Sequence, residues 1–322
     1  MKKISILMAI YHPNLLWLKE QIVSLEKQTY PNLELWIIDD GPDSPVGKDF
    51  FSRLLKRIPY HYRIHEKNRG SDQTFSELVD WADGDYFAFC DQDDVWLPTK
   101  VEELIKYLKN TSAQLTYCLL SVIDENGKKI SNDIRTIRKA DFFPEGEHIA
   151  VRIFRKSCIY GCSMILRAEA AKQAIPVPES FGYDHWFCLW MSLKGKVSFL
   201  EKSLVEHRLH EENQSTPFRE IKTKADYFQN RILGMQARVK NTIARIPKNQ
   251  NPDILQLYAY LLNIDLWVRA RRDWYEGRSG SLQCLWKLRW MSPQITCFEI
   301  IAMRVPDKVF HLMLKIIAKY FI

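Results

Sequence analysis

Asp91, Asp93 and Asp94 place three carboxylates within four residues, in the segment Phe89-Cys90-Asp91-Gln92-Asp93-Asp94-Val95-Trp96. They follow an aromatic, uncharged run, Tyr86-Phe87-Ala88-Phe89-Cys90, that reads as a buried strand. Acids crowded at a strand end repel one another, and some take up protons unless a cation compensates. A hard divalent cation does so through oxygen ligands and keeps coordination positions open for the phosphates of a substrate. The bland alternative is a strand followed by a helix, with Asp93 or Asp94 as N-cap and Pro98 in the first turn. Capping accounts for one acid but not for three, so the cation is the stronger expectation.

Four further clusters carry polar chemistry. Asp39-Asp40-Gly41 closes an apolar run, where a carboxylate can accept a hydrogen bond from an N–H edge such as the imide of uracil or thymine. Tyr11, ending another apolar run, can stack on a base; a turn served by Asp and Gly backbone geometry is the competing account. Asn68-Arg69-Gly70-Ser71 resembles a tight loop whose glycine lets backbone approach a ligand, with Lys67 or Arg69 to offset phosphate charge; a loop with no ligand and solvated charges is an equal account. Gly182-Tyr183-Asp184-His185-Trp186 sets an acid at the mouth of an aromatic helix, as general base toward a hydroxyl or as an N-cap. His207-Arg208-Leu209-His210 can offer imidazoles to a metal or a diphosphate, but by composition alone surface histidines are the commoner reading. A zinc set of Cys158, Cys162, His207 and His210 is disfavoured, because the cysteine spacing falls in an apolar run.

The elements that must hold these clusters alternate. Strands are expected over residues 4–11, 33–38, 61–65 and 86–90, and helices over 15–28, 49–57 and 74–82. Such alternation predicts a mainly parallel sheet with helices on both faces, and ligands then bind outside the carboxyl ends of the strands. Beyond about residue 111 the pattern loosens, with a strand over 115–122, an apolar run over 159–166 and a helix over 183–193. From Ile221 the chain reads as helical to its end, broken near Pro247–Pro252 and Gly277–Gly280.

The 322 residues, 46% hydrophobic and 26% charged, suffice for a large domain with an appendage. Seven dispersed cysteines, mostly in apolar runs, point to a reducing compartment rather than a disulfide framework. The apolar start after Met1-Lys2-Lys3 is too short for a signal peptide and reads as a first strand. No stretch approaches the roughly 20 apolar residues that span a bilayer. The expected location is therefore cytoplasmic, with room for attachment to a membrane face. Residues 215–322 hold 18 Lys+Arg against 8 Asp+Glu, whereas the rest holds 28 against 31, so the back of the chain is basic. There, cations interleave with tryptophan (Arg269, Arg271, Arg272 beside Trp267 and Trp274; Lys287 and Arg289 beside Trp286 and Trp290), and residues 310–322 form an amphipathic helix with spaced lysines. This suits an anionic membrane surface; a helical pair packed on the rest of the chain, or a homodimer interface, is the other account. Nothing besides charge supports nucleic acid as a partner.

Taken in order, Ser5-Ile6-Leu7-Met8-Ala9-Ile10-Tyr11, Ile37-Ile38-Asp39-Asp40-Gly41, Asn68-Arg69-Gly70, Asp91-Gln92-Asp93-Asp94-Val95-Trp96-Leu97-Pro98, Asp184-His185-Trp186 and His207-Arg208-Leu209-His210 resemble the motifs of family 2 glycosyltransferases. The resemblance covers roughly residues 3–215. It implies a GT-A fold: an α/β, Rossmann-like nucleotide-diphospho-sugar transferase domain over residues 1–215, with 216–322 as a basic, aromatic-rich helical C-terminal region. It implies that Ala9, Tyr11, Asp40, Asn68, Gly70, Asp91 and Gln92 bind the nucleotide sugar. Asp93 and His210 would hold Mn²⁺ or Mg²⁺ on the diphosphate, Asp91 and Asp93 forming the DxD element, with Asp94 in the same neighbourhood. Asp184 matches the catalytic base. The Asp91–Trp96 variant joined to Asp184-His185-Trp186 is most similar to bacterial enzymes of surface-polysaccharide synthesis, rhamnosyltransferase-like ones among them. The implied activity is inverting transfer from dTDP-rhamnose or a UDP-hexose to a saccharide or lipid-linked saccharide, by a protein peripheral on the inner face of the cell membrane. Two motifs depart from the pattern, with His12 in place of the usual asparagine and His207 in place of the usual tyrosine. A sugar nucleotidyltransferase would share a metal–nucleotide site, but Tyr11-His12-Pro13 lacks the glycine-rich basic loop; a non-catalytic scaffold would not need Asp184.

Overall fold

The computed structural model describes residues 1–138, 143–156, 159–179, 181–210 and 221–321, with side chains through residue 317. The chain forms two compact units, one of Met1–Val177 with Phe181–Glu212, the other of Pro178–Ser180 with Asn213–Ile322. The expected boundary at 215/216 lies outside the described residues.

The first unit opens with β1 (Ile4–Ile10), α1 (Leu15–Glu26), β2 (Leu33–Asp39), α2 (Lys48–Leu54), β3 (Tyr60–Ile64), α3 (Ser71–Trp81) and β4 (Tyr86–Cys90). It continues through β5 (Val95–Trp96), α4 (Lys100–Asn110), β6 (Leu115–Ile123), β7 (Lys129–Ser131), α5 (Ala150–Arg155), β8 (Met164–Arg167), α6 (Ala168–Lys172), α7 (Tyr183–Lys194) and β9 (Val197–Arg208). One sheet runs β3-β2-β1-β4-β8-β6-β9-β5, with β7 on β6. β2, β4 and β6 are buried along their whole length, as expected of strands covered on both faces. Ile4, Ile6 and Met8 of β1 share a core with Leu18, Ile22 and Leu25 of α1. Asn14 starts α1 by accepting from the N–H of Leu16 (3.0 Å), a side-chain N-cap.

The sheet is mixed rather than mainly parallel. β3, β2, β1 and β4 are parallel, as are β6 and β9. β8 runs antiparallel between β4 and β6, and β5 runs antiparallel to β9. An apolar run announces a strand but not its direction. Here a 3₁₀ turn at Gly161–Ser163 leads directly into β8, and a strand entered from a turn is free to join the sheet reversed. The parallel half still brings the ends of β1, β2 and β4 to one edge, where Tyr11, Asp40 and Asp91 lie.

The second unit is helical: α8 (Lys224–Tyr227), a π-helical turn at Phe228–Leu233, α9 (Gly234–Arg245), α10 (Pro252–Tyr275), α11 (Ser281–Lys287), α12 (Pro293–Ala302) and α13 (Asp307–Phe321). Pro252 and the Gly277–Gly280 stretch break it where expected, and further breaks precede Pro293 and Asp307. Leu257, Leu261, Ile264 and Val268 form the buried stripe of α10. One turn further, Arg271 makes a fully buried ion pair with Glu299 of α12 (2.5 Å), and the Tyr227 hydroxyl donates to the same carboxylate (2.9 Å). Two charges out of water demand such partners. Among the described residues no helix is long and apolar enough to cross a membrane. Cys90, Cys118, Cys162 and Cys188 are buried free thiols as expected, but Cys284 and Cys297 are exposed.

Candidate active site

The acids after β4 divide their work. Neither Asp93 nor Asp94 caps a helix, because β5 intervenes and α4 begins only at Lys100 with Thr99 before it. Asp94 is fully buried; its Oδ1 accepts from the N–H of Arg208 (3.1 Å) and meets His207 Nδ1 (2.9 Å). Burial pushes the Asp94 carboxyl up, but the imidazole beside it prevails and holds it below its ordinary value. Burial likewise pulls His207 down while Asp94 pushes it up, to about 8. The departure from tyrosine at 207 thus supplies a partner for a buried carboxylate. Asp93 is half-buried, and its Oδ2 meets His210 Nε2 at 2.8 Å. The Arg208 guanidinium, 1% exposed, ties the turn together: Nε donates to the Asp93 carbonyl (2.9 Å), Nη1 to the Asp124 carbonyl (3.2 Å) and Nη2 to Glu20 (2.5 Å).

Asp91 accepts a hydrogen bond from the Tyr183 hydroxyl (3.0 Å). Burial first, then repulsion from Asp94 and Asp93, pushes its carboxyl up to about 7. Gln92 clamps the Tyr11 peptide, with Tyr11 N–H donating to Oε1 (2.9 Å) and Nε2 donating to the Tyr11 carbonyl (3.2 Å). Tyr11 itself is half exposed, with its ring against His12. Ala9 is partly buried on β1.

Asp39 and Asp40 also separate. Asp39 is the residue that serves turn geometry, accepting from Gly41 N–H (3.1 Å), Val46 N–H (2.8 Å) and the Tyr62 hydroxyl (2.9 Å). Asp40 organises the next loop: its Oδ1 takes the Arg69 N–H (2.8 Å) and meets His65 Nδ1 (2.6 Å), while Oδ2 takes the Gly70 N–H (2.8 Å). A carboxylate has about four lone-pair positions, so one on Oδ2 remains. Asn68 donates to the Asp40 carbonyl (3.4 Å), and Gly70, at φ 76°, turns the chain into α3 in a conformation that suits glycine. The Arg69 guanidinium is turned to Glu77 instead of a phosphate.

Asp184 lies in the first turn of α7, one residue past Tyr183, and its Oδ1 accepts from His185 N–H (2.6 Å). It is not the N-cap. That task falls to Asp72 of α3, which takes the N–H groups of Tyr183 (2.7 Å) and Gly182 (3.3 Å). The sequence offers no signal for this contact across 111 residues; an acid in the first turn of α3 is all that is visible locally.

The residues fit a divalent cation. The Asp93 carboxylate suits Mn²⁺ or Mg²⁺, with the His210 imidazole beside it as a nitrogen donor, and burial together with repulsion from Asp94 and Asp93 pushes the Asp91 carboxyl up, which a cation there would counter. A second cluster, Asp94, Cys162 and His207, brings its ligand atoms within 4.8 Å of one another and is fully buried. Positive charge is already supplied there by Lys100, whose Nζ donates to the Cys162 carbonyl (2.6 Å) and lies over the Trp96 ring. Of the disfavoured zinc set, Cys162 and His207 do approach each other, His210 is engaged with Asp93, and Cys158 lies outside the described residues.

The mixed sheet with its covering helices and a helical C-terminal region is a GT-A fold. The family model for glycosyl transferase family 2 matches residues 5–174, more than half of the chain, and the chain belongs to that family. It is 27% identical over 210 residues to an uncharacterized glycosyltransferase of Rickettsia conorii, covering 64% of this chain but only 33% of that one. EpsH of Bacillus subtilis, which carries a glycosyltransferase name, is 24% identical over 216 residues (64% of this chain, 61% of the other). Among solved structures, S. aureus TarS residues 1–349 in complex with UDP-GlcNAc superimposes with a TM-score of 0.61 at 13% identity, covering 98% of this chain and 91% of TarS 1–349. At that identity the likeness concerns the fold.

Proposed function

We propose that this chain is a metal-dependent, inverting glycosyltransferase. It moves a sugar from a nucleotide-diphosphate donor, dTDP-rhamnose or a UDP-hexose, to a hydroxyl of a growing, lipid-linked bacterial surface polysaccharide. The observation that supports this reading is the hydrogen bond from Tyr183, on the helix that also carries Asp184, to Asp91 of the acid cluster. The TarS complex with UDP-GlcNAc supports a UDP-sugar as one donor class.

In this mechanism Tyr11, held by Gln92, stacks on the base, and the remaining lone pair of Asp40 accepts the imide N–H. Asn68 and Gly70 shape the loop beside it, and Asp91 meets the ribose. Asp93 and His210 would hold the cation, which would supply positive charge against the negative charge developing on the departing diphosphate. Asp184 takes the proton from the acceptor hydroxyl as its oxygen attacks the anomeric carbon, so the configuration there inverts. Incubating the purified chain and Mn²⁺ with UDP- and dTDP-sugars is expected to release nucleoside diphosphate from at least one donor. Neither binding nor release with any of them would end this reading.

The second unit carries the attachment we assign to the inner face of the cell membrane. Trp286 (50%) and Trp290 (60%) are exposed beside the exposed cations Lys287 and Arg289, and Leu312 and Ile316 are exposed on α13. Interfacial aromatics with cations bind anionic lipid. The chain should sediment with phosphatidylglycerol vesicles but not phosphatidylcholine vesicles, less so in high salt. Absence of sedimentation, with a dimer by light scattering, would assign these helices to self-association.

A further inference from the structure

Tyr183 has more contacts than filling the core requires. Its ring is stacked on Phe75 of α3 (centroids 3.8 Å apart, 25° between planes) and leans on Phe89 of β4 (5.4 Å). The hydroxyl at its tip donates to Asp91 Oδ1. Room for that tip is made by Gly161: a Cβ there would stand 2.7 Å from Tyr183 Cζ and 2.8 Å from Cε2, closer than side chains tolerate. The Tyr183 backbone is fixed from another side, because Asp72 takes its N–H and that of Gly182. Asp72 lies two residues beyond Gly70, whose N–H is held by Asp40.

We propose that Tyr183 is a positioning residue that sets the distance between the donor-side acid Asp91 and the base Asp184, with Gly161 keeping its slot open and Asp72 fixing its backbone. This rests on the functional reading above. A bound path results: Asp40 to the loop at 69–70, to Asp72, to the N-terminus of α7, through the phenol to Asp91. Every member but the phenol–Asp91 link is a backbone or capping bond; together with the packing of Tyr183 and Phe187 on Phe89, that link registers the helix of the base on the donor strand. Burial, then the charges of Asp91 and Asp184, push the phenol well above its ordinary value, so it remains a donor throughout. Transfer requires reacting atoms about 3–3.5 Å apart and aligned, and a shift of about 1 Å costs on the order of 10²-fold. Donor hydrolysis tolerates such a shift better, because water reorients freely.

The test is Tyr183→Phe, which keeps the stacked ring and removes one oxygen, alongside Gly161→Ala, which crowds the ring from the turn before β8. Both are expected to lower kcat for transfer by about 10- to 100-fold, to leave the Kd for UDP in Mn²⁺ within about threefold, and to raise the ratio of donor hydrolysis to transfer. Thermal melts check folding, and Tyr183→Phe alone decides the matter should Gly161→Ala fail to fold. With an active parent chain, transfer by Tyr183→Phe within twofold of the parent, an unchanged hydrolysis ratio, or a loss of UDP affinity as large as the loss of kcat overturns the positioning role alone. A parent chain inert to every nucleotide sugar overturns this role together with the reading on which it rests.

Discussion

Asp184→Asn is expected to lower the rate of glycosyl transfer by about 10³-fold, within the range of 10²- to 10⁴-fold that general-base catalysis supplies. The substitution is nearly isosteric. The amide oxygen can still accept from His185 N–H, so the first turn of α7 keeps its local geometry. Asp72, which holds the Gly182 and Tyr183 N–H groups, is untouched, as is the Tyr183 bond to Asp91. What is lost is the capacity to take a proton. UDP affinity in Mn²⁺ should therefore stay within about threefold of the parent, because an interaction made only in the transition state alters kcat and not ground-state binding. Initial rates of acceptor-dependent nucleoside diphosphate release, set beside calorimetric titration of UDP, separate the two quantities. Turnover within tenfold of the parent would remove Asp184 from the base role.

Asp93→Ala is expected to weaken UDP binding by about 10²-fold or more in the presence of Mn²⁺ and to erase the difference between Mn²⁺ and EDTA. The substitution deletes the carboxylate that meets His210 and that, unlike Asp94, is partly exposed. It leaves Asp94 in its buried bonds to His207 and the Arg208 N–H, so the turn is retained. It also relieves repulsion that helps push Asp91 up to about 7, so the remaining acid should ionise more readily without a cation. If UDP titrated into the variant still distinguishes Mn²⁺ from EDTA as the parent does, the cation is held elsewhere.

Much of this site is legible directly in the chain, and the reasons differ by residue. Strands buried on both faces are continuous apolar runs, so β1, β2 and β4 announce themselves, and the polar residues at their ends follow. Asp91–Asp94 stand out because charge at the end of such a run is costly. Which acid does what is not legible. Asp94 is claimed by His207 and Arg208, more than a hundred residues away, and spacing along the chain carries no trace of a pairing that long. The same limit hides Asp72 as the cap of α7 and Tyr183 as the partner of Asp91. Local rules mislead in two places. The cap pattern suggests that Asp184 starts its own helix, when another helix supplies the cap, and loop position offers Arg69 to a phosphate although Glu77, two turns along, takes its guanidinium. Strand direction fails for a plainer reason: alternation with helices implies parallel pairing, but β8 is entered directly from a 3₁₀ turn and runs antiparallel to both neighbours.

The central claim is that the acid cluster holds a cation on the diphosphate of a nucleotide sugar through Asp93 and His210. Crystals of the chain soaked with Mn²⁺ and UDP, measured for anomalous scattering at the manganese edge, test it most directly. A single manganese peak bridging the UDP diphosphate, Asp93 and His210 is the predicted result. A peak at Asp94, Cys162 and His207, or UDP bound with its diphosphate away from Asp93, would contradict the account.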